Sequence, residues 1–319
     1  MQSTRSTVGV LMMAYGGPSS LAEVAPYLAD IRGGRPTSHE LLEEITDRYR
    51  QIGGSSPILG RTTEQAAAVE AALNASESPD DAVYRVYVGM RHWHPYIGDV
   101  VPRMLEDGVD RIVAIVMAPH YSRMSIGAYM GKLDKALQEH GSSVPVAKVE
   151  TWKAEPSFIG GVARRVEQAL RLFPERERAD VPLLFTAHSL PARVLESGDP
   201  YPQELQTSVQ LVVDRIKPHH WRWAFQSQGA TAEPWLGPTV EETLDALASE
   251  GHSSVLLVPI GFVCDHVEVL FDVDIEHLRQ AQELGMRLER MAMLNDDPAL
   301  VDAVASAVRR AVAPHAATA

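Results

Sequence analysis

The segment VPLLFTAHSLPARV, residues 181–194, indicates the fold most directly. Its apolar run from Pro182 to Phe185 has the length of a buried strand, and the turn signal Ser-Leu-Pro closes it. In open α/β sheets the carboxyl ends of the strands face the crevice where ligands bind. His188 stands at that end of the predicted strand, so we expect it to face a ligand, although a lone histidine here is also compatible with a satisfied core residue.

Apolar, β-branched runs alternate with amphipathic stretches along the whole chain. This alternation is typical of βαβ units around parallel sheets, so the sequence predicts an α/β protein. Four strands are predicted in each half of the chain, at residues 7–14, 83–89, 111–118 and 145–150, then 182–187, 222–227, 254–260 and 287–293.

The first strands of the two halves also end in similar sequences. AYGGPSS ends the first strand of the first half and AHSLPAR that of the second, each with a polar ring followed by proline three residues later. We interpret this as an internal repeat of two Rossmann-like domains that face a cleft. The first is expected to comprise residues 1–152 and 298–319, with the last helix packing back onto it, and the second residues 153–297.

Three helix starts are predicted from capping patterns. Thr62 with Gln65 and Thr239 with Glu242 fit the reciprocal capping box, and Asp297 followed by proline fits an N-cap and first helical residue.

Composition limits the class of protein. The 319 residues are 45% hydrophobic and carry a net charge of −13, which argues against nucleic acid or an anionic membrane as the main partner. No apolar run approaches the ~20 residues of a membrane span, and we expect a cytoplasmic protein. The single cysteine, Cys264, can form neither an internal disulfide nor a cluster held by several cysteines of one chain.

An acidic pattern follows the seventh predicted strand, in VPIGFVCDHVEVLFDVDIEHLRQ, residues 258–280. Glu268, Asp272 and Glu276 are spaced four residues apart, which would place them in one stripe on a helix. Such a stripe is either a solvated face or a path for a weakly held divalent cation, for which oxygen donors are suited. Because its strand neighbours the one that ends at His188, we expect Glu268 to lie near that imidazole.

Two common kinds of site are not supported. Ser189 lacks the flanking glycines of a nucleophile elbow, which argues against a serine hydrolase. The first strand turn has neither G-x-G-x-x-G nor a P-loop, and Pro18 has no amide to offer a phosphate.

The sequence resembles the ferrochelatase family, which inserts Fe²⁺ into a porphyrin. The resemblance runs nearly end to end and implies two Rossmann-like domains with the porphyrin between them. It is carried, in family order, by the motifs MAYGGP, RYRQIGGSSPI, APHYS, AHSLP, GDPYPQEL, QSQGATAEPWLGP and PIGFVCDHVEVLFD.

The resemblance also implies roles for individual residues. His188 and Glu268 match the family's metal-site pair, and Tyr15 matches a residue that faces the product iron from the opposite side of the porphyrin. Asp272 and Glu276 would form a path for protons or metal. Imidazole can accept a proton or ligate iron near neutral pH, and the sequence leaves both roles open for His188.

Contacts with the porphyrin are implied for a larger set. Trp235 and Ile31 would form an apolar lip, whereas Arg35 and Arg50 are expected on solvated helix faces. Contacts to the macrocycle and its propionates are expected from Arg32, Arg48, Tyr49, Ser56 and Tyr129.

Within this family the sequence looks most like the bacterial coproporphyrin III ferrochelatases, so we expect coproporphyrin III as the substrate. The alternatives are a protoporphyrin IX ferrochelatase, a cobalt chelatase, for which His266 would supply a further imidazole, and a non-catalytic tetrapyrrole-binding protein. We expect Fe²⁺ as a substrate, no resident cofactor or Fe–S cluster, and a monomer.

Overall fold

The computed structural model describes residues 5–75, 82–229 and 231–313. The described chain forms two four-stranded sheets, and every strand pair within them is parallel. The strands of the first sheet are Thr7–Ala14 (β1), Val83–Met90 (β2), Arg111–Val116 (β3) and Val146–Val149 (β4). Those of the second are Leu183–His188 (β5), Trp221–Gln226 (β6), Ser254–Val258 (β7) and Arg287–Arg290 (β8).

The two sheets have equivalent strand orders. The first runs β2-β1-β3-β4 and the second β6-β5-β7-β8, so β1 and β5 hold the same inner position in their sheets. This confirms the predicted α/β class with two repeated sheets. Several strands end earlier than expected. β7 stops at Val258 because Pro259 has no N–H for the ladder, and the Ile260 N–H turns back to the Val258 carbonyl at 2.7 Å.

Helices flank both sheets. Those of the first half are Val24–Ile31 (α1), His39–Gln51 (α2), Ile58–Asn74 (α3), Ile97–Glu106 (α4) and Ile126–Glu139 (α5). They are followed by Pro156–Leu170 (α6), Arg193–Glu196 (α7), Tyr201–Ile216 (α8), Val240–Ser249 (α9), Val267–Leu270 (α10), Leu278–Glu283 (α11) and Pro298–Val312 (α12). A π-helical segment, Asp272–His277, joins α10 to α11.

Across the described ranges, no helix combines the length and the apolar character that crossing a membrane requires.

Two of the three predicted caps are confirmed. The Thr239 hydroxyl accepts the Glu242 N–H while the Glu242 carboxylate accepts the Thr239 N–H, which is a complete capping box. Asp297 accepts the Ala299 N–H at 2.9 Å and caps α12.

The capping box predicted at Thr62 is wrong, because α3 begins four residues earlier, at Ile58. The Thr62 hydroxyl donates to the Ile58 carbonyl at 2.7 Å, as threonines inside helices commonly do. The Gln65 amide donates instead to the Asn295 carbonyl, 2.8 Å away in the other half of the chain.

One apolar core connects the two sheets. Val10 in β1, Phe185 in β5, Val258 in β7 and Val304 in α12 belong to the same buried cluster. The last helix, α12, packs against α3, which contacts the first sheet, and against α6, which contacts β7 of the second. Continuous packing of this kind couples the sheets mechanically, because close-packed interiors transmit displacement. The boundaries at 152/153 and 297/298 stay a prediction.

Candidate active site

The strand end at His188 meets the segment after β7. The His188 Nδ1 atom contacts the Ser189 carbonyl, which can only accept a hydrogen bond, so Nδ1 carries the proton in the neutral ring. The lone pair is then on Nε2, which lies 3.6 Å from Glu268 Oε1. The two side chains are 35% and 26% exposed, so this pair is open to a ligand. The predicted proximity of these residues is present in the fold.

The second carboxylate oxygen of Glu268 lies 3.8 Å from His266 Nε2. Burial opposes ionisation of Glu268, but the electrostatic interaction with His188 and the hydrogen bond and charge of His266 outweigh it and hold the pKa of the carboxyl below its usual value. Burial likewise acts to lower the pKa of His266, and the Glu268 carboxylate reverses that effect and raises it. Glu268 is therefore held as an anion between two imidazoles. Over the described ranges, no three His, Cys, Asp or Glu side chains converge to hold a metal ion together.

Two residues that sequence reasoning missed hold the Glu268 backbone. The Gln226 amide donates to the Glu268 carbonyl oxygen at 2.8 Å, and Thr186 donates to Gln226 Oε1 at 2.7 Å. Thr186 and Gln226 lie on the neighbouring strands β5 and β6, near their carboxyl ends. Gln226 opens the motif QSQGATAEPWLGP, which could have indicated it, whereas the signal for Thr186 is its position near a strand end.

The acidic stripe expected on one regular helix is wrong in its geometry. After α10 the backbone widens into the π-helical segment, where the Glu276 N–H bonds to the Phe271 carbonyl five residues earlier, at 3.0 Å. The three carboxylates remain near one another nonetheless. Burial raises the pKa of Asp272 to about 6; the charges of Glu268 and Glu276 add to that rise, against the opposing effects of Ser227 and Arg48.

Ser227 and Arg48 contact Asp272 directly. The Ser227 hydroxyl donates to Asp272 Oδ2, and the Ser227 backbone has a φ of 59°, which is uncommon outside glycine. One Arg48 nitrogen lies 3.5 Å from Asp272 Oδ1, and the guanidinium carbon lies 5.0 Å from the centre of the Phe271 ring. Arg48 comes from the first half of the chain, so this ion pair spans the two halves.

Tyr15 follows β1 and presents its ring from the first half. It is 37% exposed, and its ring centre lies 4.7 Å from that of His92. Burial raises the pKa of Tyr15 to about 12, and the charge of Glu268 adds to the rise more than Asp30 does, while Arg91 opposes it. Because Glu268, which follows β7, acts on Tyr15, which follows β1, the two sheets bring these strand ends within electrostatic range of one another.

His92 and Arg91 were not assigned any role from the sequence. His92 Nδ1 lies 2.8 Å from Asp30, and burial lowers the pKa of His92 to about 4 despite that carboxylate. The Arg91 guanidinium lies 6.0 Å from the Tyr15 ring centre and 5.3 Å from that of Tyr129. The signal for both is the sequence GMRHWHP, a run of cationic and aromatic residues where β2 ends.

Tyr49 and Tyr129 belong to the wall on this side. They are buried, at 2% and 4% exposed, and burial raises the pKa of both hydroxyls. Tyr49 packs edge-to-face on Tyr27, with ring centres 6.4 Å apart. Ile31 is half-buried against the same aromatic cluster. These side chains therefore provide an apolar surface next to Tyr15.

Ser56 is half-buried beside the turn after β1. Its N–H donates to the Pro18 carbonyl at 2.8 Å. A Cβ atom at Gly17 would lie 2.6 Å from the Ser56 side chain, so this close approach requires glycine.

Arg32 and Arg48 differ from their neighbours Arg35 and Arg50. Arg50 is exposed and paired with Asp47, as expected, and Arg35 is also exposed but lies in the loop after α1 rather than on a helix. Arg32 donates to the Pro36 carbonyl at 3.1 Å. The buried Nε atoms of Arg32 and Arg48 have no hydrogen-bond partner among the residues that the structure describes.

Trp235 lies next to the segment that follows His188. It forms an isolated antiparallel bridge with Pro191, and its indole N–H donates to Thr231 at 3.2 Å. Its ring leaves no room for a Cβ at Gly229, which would lie 2.6 Å from it. The apolar lip expected from Trp235 and Ile31 stays a prediction.

The chain is similar to known proteins over nearly its whole length. The family model for ferrochelatase matches residues 7–312. The chain is 46% identical over 299 residues to a ferrochelatase of Herpetosiphon aurantiacus, covering 94% of this chain and 97% of that protein. It is 40% identical over 305 residues to a coproporphyrin III ferrochelatase of Geobacillus kaustophilus, covering 95% of this chain and 96% of that protein.

Two solved structures of SirB share the fold at low sequence identity. SirB from Bacillus subtilis with Fe³⁺ aligns with a TM-score of 0.61 at 11% identity, over 96% of both chains. The sirohydrochlorin chelatase SirB in complex with cobalt aligns with a TM-score of 0.57 at 11% identity, over 96% of this chain and 95% of that one. These likenesses concern the fold alone. The family match across residues 7–312 and the identity to its relatives show that this chain belongs to the ferrochelatase family, whose members insert a metal ion into a porphyrin.

Proposed function

We propose that this enzyme inserts Fe²⁺ into coproporphyrin III. The observation that carries the proposal is the position of two arginines, Arg32 and Arg48, close together in the segment that resembles the family's propionate contacts, in a chain with a net charge of −13. Coproporphyrin III has four propionates, whereas protoporphyrin IX has two propionates and two vinyl groups, so the first requires more polar cover around its rim. Relatives named as coproporphyrin III ferrochelatases support this choice, although others are named ferrochelatase only.

His188 is the proposed proton acceptor. Iron can enter the macrocycle only after the two pyrrole N–H protons have left, and His188 Nε2 holds a free lone pair at the strand end. The imidazolium that forms is stabilised by the Glu268 carboxylate, 3.6 Å away. Glu268 is ionised before the reaction, so it needs no proton transfer of its own to act in this way.

The proton's proposed exit runs along the π-helical segment. Asp272, with a pKa of about 6, exchanges protons readily near neutral pH, and Glu276 continues the series. The same oxygen donors would remove water from an incoming Fe²⁺ ion. On the opposite side of the macrocycle, the proposed axial contact to the product iron is the Tyr15 hydroxyl.

We also propose that the enzyme works without a resident cofactor. Its single cysteine cannot hold a [2Fe–2S] cluster, which requires several. A monomer in the cytoplasm, with no nucleic acid or membrane as a partner, is the proposed state.

Steady-state kinetics with both porphyrins test the substrate assignment. We expect a higher kcat/KM for coproporphyrin III, with many turnovers per chain, which a binding protein cannot produce. A charge-assisted hydrogen bond contributes roughly 1.5–3 kcal/mol, so Arg32→Ala or Arg48→Ala should weaken coproporphyrin binding about ten- to a hundredfold. The loss for protoporphyrin IX should be smaller.

Arg50→Ala is the matched control, because Arg50 is exposed and pairs with Asp47. This change should leave the affinity for both porphyrins unchanged. A higher kcat/KM for protoporphyrin IX in the unmodified enzyme would overturn the substrate assignment and leave membership of the ferrochelatase family intact.

A further inference from the structure

A buried carboxylate connects the loop after β3 with the second half of the chain. The Ser122 hydroxyl donates to Asp199 Oδ2 at 3.0 Å, and the Arg123 N–H donates to the same oxygen at 2.8 Å. Ser122 is fully buried and Asp199 is 4% exposed. Since a buried carboxylate is costly unless its oxygens are bonded, this contact is specific rather than incidental.

The same carboxylate leads to His188. Asp199 Oδ1 accepts the Tyr201 N–H at 3.1 Å, where α8 begins. The Tyr201 hydroxyl donates to the His188 carbonyl at 2.9 Å, and its ring packs against Phe225, with centres 6.3 Å apart. A continuous path of hydrogen bonds and one rigid aromatic ring thus joins the loop of the first half to the backbone of His188.

The path ends at the backbone segment that orients the His188 imidazole. The His188 ring is held through Nδ1 by the Ser189 carbonyl, one peptide unit beyond the carbonyl that Tyr201 holds. Ser189 is itself fixed, with its N–H bonded to the Gln226 carbonyl at 2.8 Å and its hydroxyl to the Leu236 carbonyl at 2.9 Å. Among these hydrogen bonds around His188 and Ser189, only the one from Tyr201 leads back to the first half.

We propose that Asp199 and Tyr201 are positioning residues, which set the orientation of the His188 imidazole against the first half of the chain through Ser122 and Arg123. The inference rests on the proposed role of His188. The first-half loop leads directly into α5, which carries Tyr129. The path therefore aligns the residue that removes protons with the wall against which the macrocycle lies. None of the residues in the path needs to touch the porphyrin.

Tyr201→Phe tests this most cleanly, because it keeps the ring and removes only the hydroxyl. A misplacement of a reacting group by about 1 Å can lower a rate by about a hundredfold, so we expect kcat to fall about tenfold for a partly released imidazole. Porphyrin KM should stay within about twofold, since no substrate contact is lost. A purely structural role would lower the thermal midpoint and the active fraction without lowering kcat per active site.

Tyr87→Phe is the matched control. The Tyr87 hydroxyl also donates a hydrogen bond, to Asp107 at 2.8 Å, but near the surface of the first half. Its removal should leave both kcat and KM unchanged. Ser122→Ala removes one bond to Asp199 while the Arg123 N–H remains, so it should lower kcat by a smaller factor, about two- to fivefold.

The double variant Ser122→Ala/Tyr201→Phe decides whether the residues form one path. Both changes interrupt the same connection, so the double variant should lose no more kcat than Tyr201→Phe alone. Losses that multiply would overturn the proposal, as would a wild-type kcat for Tyr201→Phe beside an inactive His188→Ala. If His188→Ala itself keeps more than about a tenth of wild-type turnover, the proposed role of His188 fails instead.

Discussion

Replacing Glu268 by glutamine removes a charge from the proposed catalytic pair and preserves its shape. Glu268 Oε1 lies 3.6 Å from His188 Nε2, with side chains 26% and 35% exposed. At that distance a unit charge pair is worth about 1 kcal/mol in water and about 5 kcal/mol at an effective dielectric constant of 20. Partial exposure places the true value between these limits. Since about 1.4 kcal/mol corresponds to tenfold in rate, we expect kcat to fall about a hundredfold.

The assay is the appearance of the metalloporphyrin absorption bands under saturating Fe²⁺, with porphyrin affinity measured separately by fluorescence quenching. The porphyrin Kd should stay within about threefold, because burial of the ring and contacts to the propionates supply the binding. Glu139→Gln, which removes an exposed carboxylate 3.7 Å from Lys135, is the control and should be silent. A Glu268→Gln enzyme with kcat within about fivefold of wild type would refute the reasoning.

Three further outcomes are expected. Asp272→Asn should reduce kcat less than Glu268→Gln, and Glu276→Gln less again; equal, negligible effects at both would mark a solvated face. Tyr15→Phe should change the absorption spectrum of the bound ferric product if the hydroxyl ligates iron, and an identical spectrum would exclude that contact. Burial lowers the pKa of His120 to about 3, so between its ordinary value of 6.5 and that pH the unfolded chain binds more protons. The contribution of His120 to the free energy of unfolding should therefore be fully present above about pH 6.5 and fall by up to ~1.4 kcal/mol per pH unit below it. Denaturant titrations at several pH values measure this dependence, and the free energy of unfolding should change less steeply with pH in His120→Gln than in the wild type. The same pH dependence in both proteins would contradict the prediction.

Local sequence signals were sufficient for the repeated architecture. The predicted strand 7–14 agrees with β1 to the residue, and the predicted strand 182–187 is displaced from β5 by one position. Both could be recognised because a buried parallel strand appears in the sequence as a short apolar run closed by a turn. The nearness of Glu268 to His188 followed from the same principle, since carboxyl ends of neighbouring parallel strands share one edge of the sheet.

Other features depend on contacts between distant parts of the chain. The capping pattern at Thr62 satisfied every local criterion, yet α3 begins earlier and Gln65 bonds to Asn295 instead. The π-helical segment likewise replaced a regular helix that the spacing of Glu268 and Asp272 favours. A periodic pattern contains no information about where a helix is interrupted by packing.

By itself, then, the sequence determined the fold class, the two repeated sheets and the strand end that carries His188, because periodicity and turn chemistry are local properties. Only the tertiary structure decided which polar groups meet across the two halves, such as Arg48 with Asp272, 224 residues apart, or Ser122 with Asp199. A hydrogen bond depends on distances within a few tenths of an ångström and on donor direction. Those quantities are set by the packing of whole helices and sheets against one another, which no local pattern specifies.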